Sequence, residues 1–365
     1  PAGTSRTATV TIAGQTFTVT QAAAQLYSIS GQVTRSGTGL SGVNMLLSTG
    51  AAATTDSSGN YSIGNLAPGN TYTITPIRND YTFIPQNATF VNLAGNQTAS
   101  FQANIQYDFN GGSGPDVIWE APKTGFAQVW YLGGPQGVTV TGAANLTQTN
   151  PWHIVAVADF DGNGTPDVVW QDPVSGAVQV WYLGGAGGNV ITGAANITNK
   201  NPWRVASVAD FNQDGHPDLL WQDPNSGFSQ IWYLGGAKGI TLLGAANLDL
   251  TNPWRIVGCA DFNNDGFPDV LWQDSKTGTV QIWYMGGTQE GAQGSMVQSA
   301  VNLTANPWHV AAIADFNLDG HPDIVFEDPV SGAAQVFFYS GTQGTTLSGS
   351  AVLSGPNPWY IAGPH

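Results

Sequence analysis

Residues 210–223 read DFNQDGHPDLLWQD. The phrase returns as DFDGNGTPDVVWQD from 159, DFNNDGFPDVLWQD from 261 and DFNLDGHPDIVFED from 315, with an altered copy, DFNGGSGPDVIWEA, from 108. The opening aspartates are spaced 51, 51, 51 and 54 residues apart, and the three extra residues lie in TQEGAQGSM after Tyr284. Everything between these phrases also repeats, so one unit suffices to read them all.

In the second copy NPWHIVAVADF is an apolar run entering the acidic phrase, and PDVVWQD leaves it as a second strand. SGAVQVWYLGG is a third strand, opened by Ser-Gly and closed by Gly-Gly, and NVITGAANIT is a fourth. Four short strands at a period near 50 residues predict a β-propeller blade. The first copy starts at Tyr107 without an NPW strand, and the chain finishes on NPWYIAGPH without an acidic phrase. The two remnants make one blade, with strands two to four from about 107–149 and strand one from about 356–363. The expected fold is therefore all-β: a five-bladed propeller over 105–365, closed by the C-terminal strand, which removes exposed sheet edges.

Composition agrees. Gly numbers 47 and only 9% of residues are charged, which suits a turn-rich β protein rather than long helices. No apolar run approaches the roughly 18 residues of a membrane helix, so membrane insertion is not expected. Pro1 opens no export signal, as in a mature form or a chain written without one. The net charge of −15 is concentrated from residue 107 onward, with 22 acids against 6 Lys and Arg. That excludes nucleic acid as a partner, because phosphates need a basic surface. Fourteen of those acids lie in the nine-residue loops that open the repeated phrase, so something cationic is expected to offset them. The single Cys259, in RIVGCADF, reads as a small buried hydrophobe.

In the third copy Asp210, Asn212, Asp214 and Asp218 stand at loop positions 1, 3, 5 and 9, with Gly215 at position 6. Alternating hard oxygen donors followed by a turn-forming Gly match what Ca²⁺ requires. The same residues could also pin a hairpin as Asx turns without a metal. The short loop running straight into an apolar strand resembles the calcium loop of FG-GAP and VCBS repeats, as in integrin α-subunit propellers. Carried over by position, the resemblance implies ligands Asp159, Asp161, Asn163 and Asp167; Asp261, Asn263, Asp265 and Asp269; and Asp315, Asn317, Asp319 and Asp323, about four structural ions in all. The first copy keeps Asp108, Asn110 and Asp116 but has Gly112 and Ser113 at positions 5 and 6, a degenerate site. His216 and His321, at position 7, would offer only backbone.

All 13 Trp fall in the repeat, at the WQD, QVWYLGG and NPW positions. Equivalent aromatics in every blade suit interblade core layers. A glycan-stacking role falls first to the NPW set, Trp152, Trp203, Trp254, Trp308 and Trp359. The Gln series 128, 179, 230, 281 and 335 is equally regular. The sequons at Asn145, Asn196 and Asn302 recur in register and read as strand-end turns. After NPW come His153, Arg204, Arg255, His309 and Tyr360, and no blade shows a nucleophile elbow or HExxH, so no catalytic residue is expected.

Residues 26–104 alternate short strands with Gly, Pro and Asn turns, predicting a small Ig-like or prealbumin-like β-sandwich. ISGQV, TDSSGNYSI, NLAPGNTYTITP and YTFIP resemble carboxypeptidase-regulatory-like modules. The segment has no Lys, which excludes a Lys–Asn isopeptide staple. TATVTIAGQTFTVTQ, within residues 1–25, resembles the final hairpin of a BACON-type sandwich. Its apolar face is expected to rest on the adjacent sandwich or on a neighbouring chain by strand addition. The whole reads as a secreted or cell-surface, bacterial, non-catalytic calcium-binding protein for adhesion or glycan recognition. The alternative is a structural subunit of an extracellular filament, self-associating through residues 1–25.

Overall fold

The computed structural model describes all residues except 1–4, 24, 79–80, 148, 249–251, 290–291 and 304. Among the described residues every regular element is a β-strand. The chain divides into two compact units, residues 1–76 with 87–103, and residues 77–86 with 104–365.

The larger unit contains five four-stranded antiparallel sheets. The second sheet runs His153–Ala158, Asp167–Gln171, Val178–Gly184, Val190–Thr198. The third and fourth begin with Arg204–Ala209 and Arg255–Ala260, and the fifth with His309–Ala314. In the first sheet Tyr360–Gly363, the last strand of the chain, pairs antiparallel with Val117–Glu120. The five innermost strands touch in cyclic order, with Tyr360–Gly363 against both His309–Ala314 and His153–Ala158.

Burial follows strand position in the sheet. Second strands such as DVVWQ and DLLWQ are buried at all five positions. Both of their faces are covered, so they read as continuous apolar runs instead of alternating ones. Outermost strands such as Val190–Thr198 are largely exposed, and there small and polar residues dominate. Trp119, Trp170, Trp221 and Trp272 are wholly buried. Each packs on the Trp of the adjoining third strand at ring separations of 4.6–5.0 Å.

Every innermost strand also carries a register shift. Val155, Ala206, Val257, Ala311 and Ala362 are skipped in the pairing with the second strand. A bulge of this kind bends the strand and re-aims one side chain.

In the smaller unit Tyr27–Arg35 pairs antiparallel with Asn60–Leu66 and parallel with Gln97–Thr98. A second sheet is ordered Ala88–Phe90, Tyr72–Ile77, Asn44–Leu47, Ala52–Thr54. Ile29, Val33, Met45 and Ile74 are fully buried. The N-terminal hairpin pairs Arg6–Ile12 with Gln15–Gln21 across Ala13 and Gly14, both at positive φ, the backbone of a tight I′ turn. Val10, Ile12, Phe17 and Val19 are all more than half exposed. Among the described residues the hairpin strands pair only with each other.

Candidate metal centres

In the second to fifth sheets the acidic phrase forms the loop between the innermost strand and the second strand, and in the first it leads into the second strand, Val117–Glu120. In the third loop Asp210 accepts the backbone N–H of Asp214 (3.1 Å) and of Gly215 (2.8 Å). Asp159, Asp261 and Asp315 make the same pair of bonds in their loops. Gly164, Gly215, Gly266 and Gly320, at position 6, have φ between +86° and +92°, a conformation that penalises a Cβ. His216 and His321 donate their backbone N–H to the aspartate at position 5 (2.9 and 3.0 Å).

The aspartate at position 9 has a role that spacing did not disclose. Asp116, Asp167, Asp218, Asp269 and Asp323 have no exposed surface. One oxygen of each accepts the N–H of the loop's Phe, and the other accepts an N–H of the third strand. It thus clamps loop to sheet in all five blades, including the first, whose loop lacks a carboxylate at position 5. The retention of Asp116 in the degenerate copy was the available signal.

In the second loop the three predicted carboxylates are brought together. Asp159, Asp161 and Asp167 each place a carboxylate oxygen within 4.8 Å of the others. Asp161 Oδ2 meets Lys238 Nζ at 3.0 Å, whereas its buried Oδ1 has no hydrogen-bond partner. In the third, fourth and fifth loops the position-3 Asn donates its amide to the position-5 carboxylate at 3.0–3.1 Å. Burial, reinforced by neighbouring carboxylates, pushes Asp167, Asp269 and Asp323 up to about 8 and Asp218 to about 9. Clustered carboxylates that favour protons at neutral pH, with an orphaned buried oxygen among them, fit a hard divalent cation. The first loop offers only Asp108 and Asp116 as carboxylates, with Asp116 raised to about 7, chiefly by burial.

The other acids of the repeat serve turns. Asp172, Asp223 and Asp328 accept a backbone N–H two residues on and a Ser hydroxyl three residues on. These hydrogen bonds hold their pKa values below the ordinary carboxylate value.

The NPW tryptophans are half-buried and pack against the core clusters. Trp203 and Trp359 meet Phe228 and Phe126 edge-on. The regular glutamines also have internal partners. Gln128, Gln179, Gln230 and Gln281 accept the indole N–H of the Trp two residues on. They donate to Asn145, Asn196, Asn247 and Asn302 respectively, so the sequon asparagines sit in outer strands, with side chains engaged by the sheet.

A second group of glutamines, those of WQD, links blades. Gln171, Gln222 and Gln273 each accept the N–H of Val205, Ile256 or Val310 and donate to the carbonyl of Trp203, Trp254 or Trp308. Glu120 and Glu327 replace them in two blades. Glu120 binds His153 at 2.8 Å, and Glu327 binds His309 at 3.2 Å. The change from WQD to WEA and FED was its only trace in the sequence.

The FG-GAP-like repeat model matches residues 160–221 and 225–326. Chicken integrin alpha-6 is 30% identical over 141 residues, covering 32% of this chain and 12% of the relative. Integrin alpha-3 of Cricetulus griseus is 24% identical over 233 residues, covering 61% and 20%. Human phosphatidylinositol-glycan-specific phospholipase D is 29% identical over 174 residues, covering 38% and 20%. The matched regions are thus a fifth or less of these relatives. No helix among the described residues is long and apolar enough to cross a membrane. The FG-GAP-like repeats, set in repeating four-stranded sheets with acidic loops, mark the larger unit as an FG-GAP β-propeller.

Proposed function

We propose that this chain is an extracellular or cell-surface, non-catalytic recognition protein whose propeller holds Ca²⁺ as structural ions in four loops. The observation that carries this reading is the second loop, where the carboxylates of Asp159, Asp161 and Asp167 converge and one buried oxygen of Asp161 lacks any partner. The third to fifth loops repeat its hydrogen bonds and its raised position-9 aspartate. Ca²⁺ would use Asp159, Asp161, Asn163 and Asp167 and their counterparts in the third to fifth loops, cancelling repulsion that otherwise loads each corner. The similarity to integrin α chains supports adhesion or ligand recognition, with glycans as the leading ligand class. Calorimetric titration of metal-stripped protein should register about four ions per chain. A glycan array probed with and without Ca²⁺ tests recognition. No heat from Ca²⁺ and no glycan bound would sink the proposal.

The exposed apolar face of the hairpin favours a second reading, self-assembly through residues 1–25. Ala8 lies opposite Val19, and Val10 opposite Phe17, so these side chains share one face, and a two-stranded sheet alone is marginal in water. Sedimentation of the full chain against one lacking residues 1–25 should show larger species only for the full chain. If both forms stay monomeric, strand-mediated assembly is wrong.

A further inference from the structure

The innermost strands end at the acidic loops; their beginnings surround a cavity of about 770 Å³. All five bulge residues, Val155, Ala206, Val257, Ala311 and Ala362, line it. The register shift in every innermost strand thus serves one shared space. Around it stand Arg204, Arg255, His309 and Tyr360, the residues that follow NPW in four repeats, with Trp308 beside them.

Charge sets this cavity apart from the rest of the unit. Arg204, Arg255 and Lys276 line it, half of the six Lys and Arg found after residue 107, against one acidic side chain, that of Asp274, and the half-buried His365 lies beside both arginines. Asp274 is itself occupied, accepting the backbone N–H of Lys276 at 2.9 Å and the Thr277 hydroxyl at 2.7 Å. Arg204 donates to Gln222 and to the carbonyl of Ile256. Neither arginine has a carboxylate partner among the described residues. Partial desolvation, and for Arg204 also the nearby charge of Arg255, disfavours both cations, with Arg204 half-buried and Arg255 keeping an exposed surface at the rim. A guanidinium does not shed its proton to escape this, so two cations persist in a recess with donors to spare.

We propose that this cavity binds a carboxylated saccharide, with the carboxylate held between Arg204 and Arg255. A planar carboxylate matches the guanidinium fork, and the volume lies in the range of small-molecule sites, about 300–1,000 Å³. Trp308 lines the wall, while Lys276 and the ring nitrogen of His309 that does not face Glu327 are the polar groups left for hydroxyls. The inference rests on reading the propeller as a recognition head, and it names the ligand class for a site far along the strands from the acidic loops.

The test is calorimetry with glucuronate, glucose and inorganic sulfate on the full Ca²⁺-loaded chain and on Arg255→Gln and Arg255→Lys. The Arg255 side chain makes no hydrogen bond among the described residues, so both variants should melt with the wild type. Glucuronate should bind the wild type, glucose at least 10-fold more weakly, and Arg255→Gln should lose roughly 10- to 100-fold in glucuronate affinity. Arg255→Lys should recover part of that loss. The proposal is overturned if folded wild type ignores glucuronate, if Arg255→Gln binds it unchanged, or if sulfate binds as tightly as glucuronate. A wild type that takes up Ca²⁺ but no glucuronate removes this inference alone; one that takes up no Ca²⁺ removes the metal reading instead.

Discussion

Asp218→Ala should lower the unfolding free energy of the propeller by about 4 kcal/mol, even in protein stripped of divalent ions. The carboxylate accepts the N–H of Phe211 at 3.0 Å and of Leu234 at 2.8 Å, with no exposed surface of its own. Truncation leaves two buried donors unsatisfied, each at about 1–3 kcal/mol. Asp116→Ala is the informative companion, because Asp116 makes the same two bonds, at 2.9 and 2.8 Å, in the degenerate loop. Urea unfolding without Ca²⁺ should show similar losses for both. With Ca²⁺ added, Asp218→Ala should lose additional stability through one ion, and Asp116→Ala should not. A loss under 1 kcal/mol for both variants would show that the ninth aspartate does not clamp the corner.

The second large effect concerns the ions themselves. Saturating one site at 100-fold above its dissociation constant contributes about 2.7 kcal/mol. Four such sites, at about 2 °C per kcal/mol for a unit of this size, give a melting temperature roughly 15 °C or more higher with Ca²⁺ than without. The pH dependence should reverse between the two forms. Asp167, Asp218, Asp269 and Asp323 have folded pKa values raised from 3.8 to about 8 or 9, mainly by burial. Such a group binds more protons folded than unfolded. Metal-free protein should therefore lose stability as pH rises from about 4 to 8. The turn aspartates 172, 223 and 328 have the opposite sign, but their lowered values act only below 3.8. In Ca²⁺ the loops are deprotonated and occupied, so acid should weaken the protein by expelling the ions. Melting scans at pH 5.5 and 8, with and without Ca²⁺, check this; parallel pH trends in the two forms would contradict it.

Much of the larger unit was legible because its signals are local and repeated. Position 1 of the acidic phrase, the glycine at position 6 and the apolar second strand each follow from backbone and burial demands within about fifteen residues. Five copies made the period audible even where one copy had decayed. The pairing of NPWYIAGPH with the first blade was legible for a related reason, since two incomplete remnants complement each other.

Other features depended on contacts the sequence does not rank. Nothing in WQD distinguishes its glutamine from that of QVW, yet Gln222 reaches across to the next blade while Gln230 serves its own Trp and Asn. The difference is which strand each occupies and which way its side chain points. The residues after NPW looked like scattered variation, His, Arg, Arg, His and Tyr, with no blade marked out. By itself the sequence determined the repeat, the all-strand character and the acidic loops, because those depend on spacing along one chain. Only the tertiary structure decided that Arg204 and Arg255 stand together around a single cavity. They lie 51 residues apart, and only the ring of innermost strands brings them to one place.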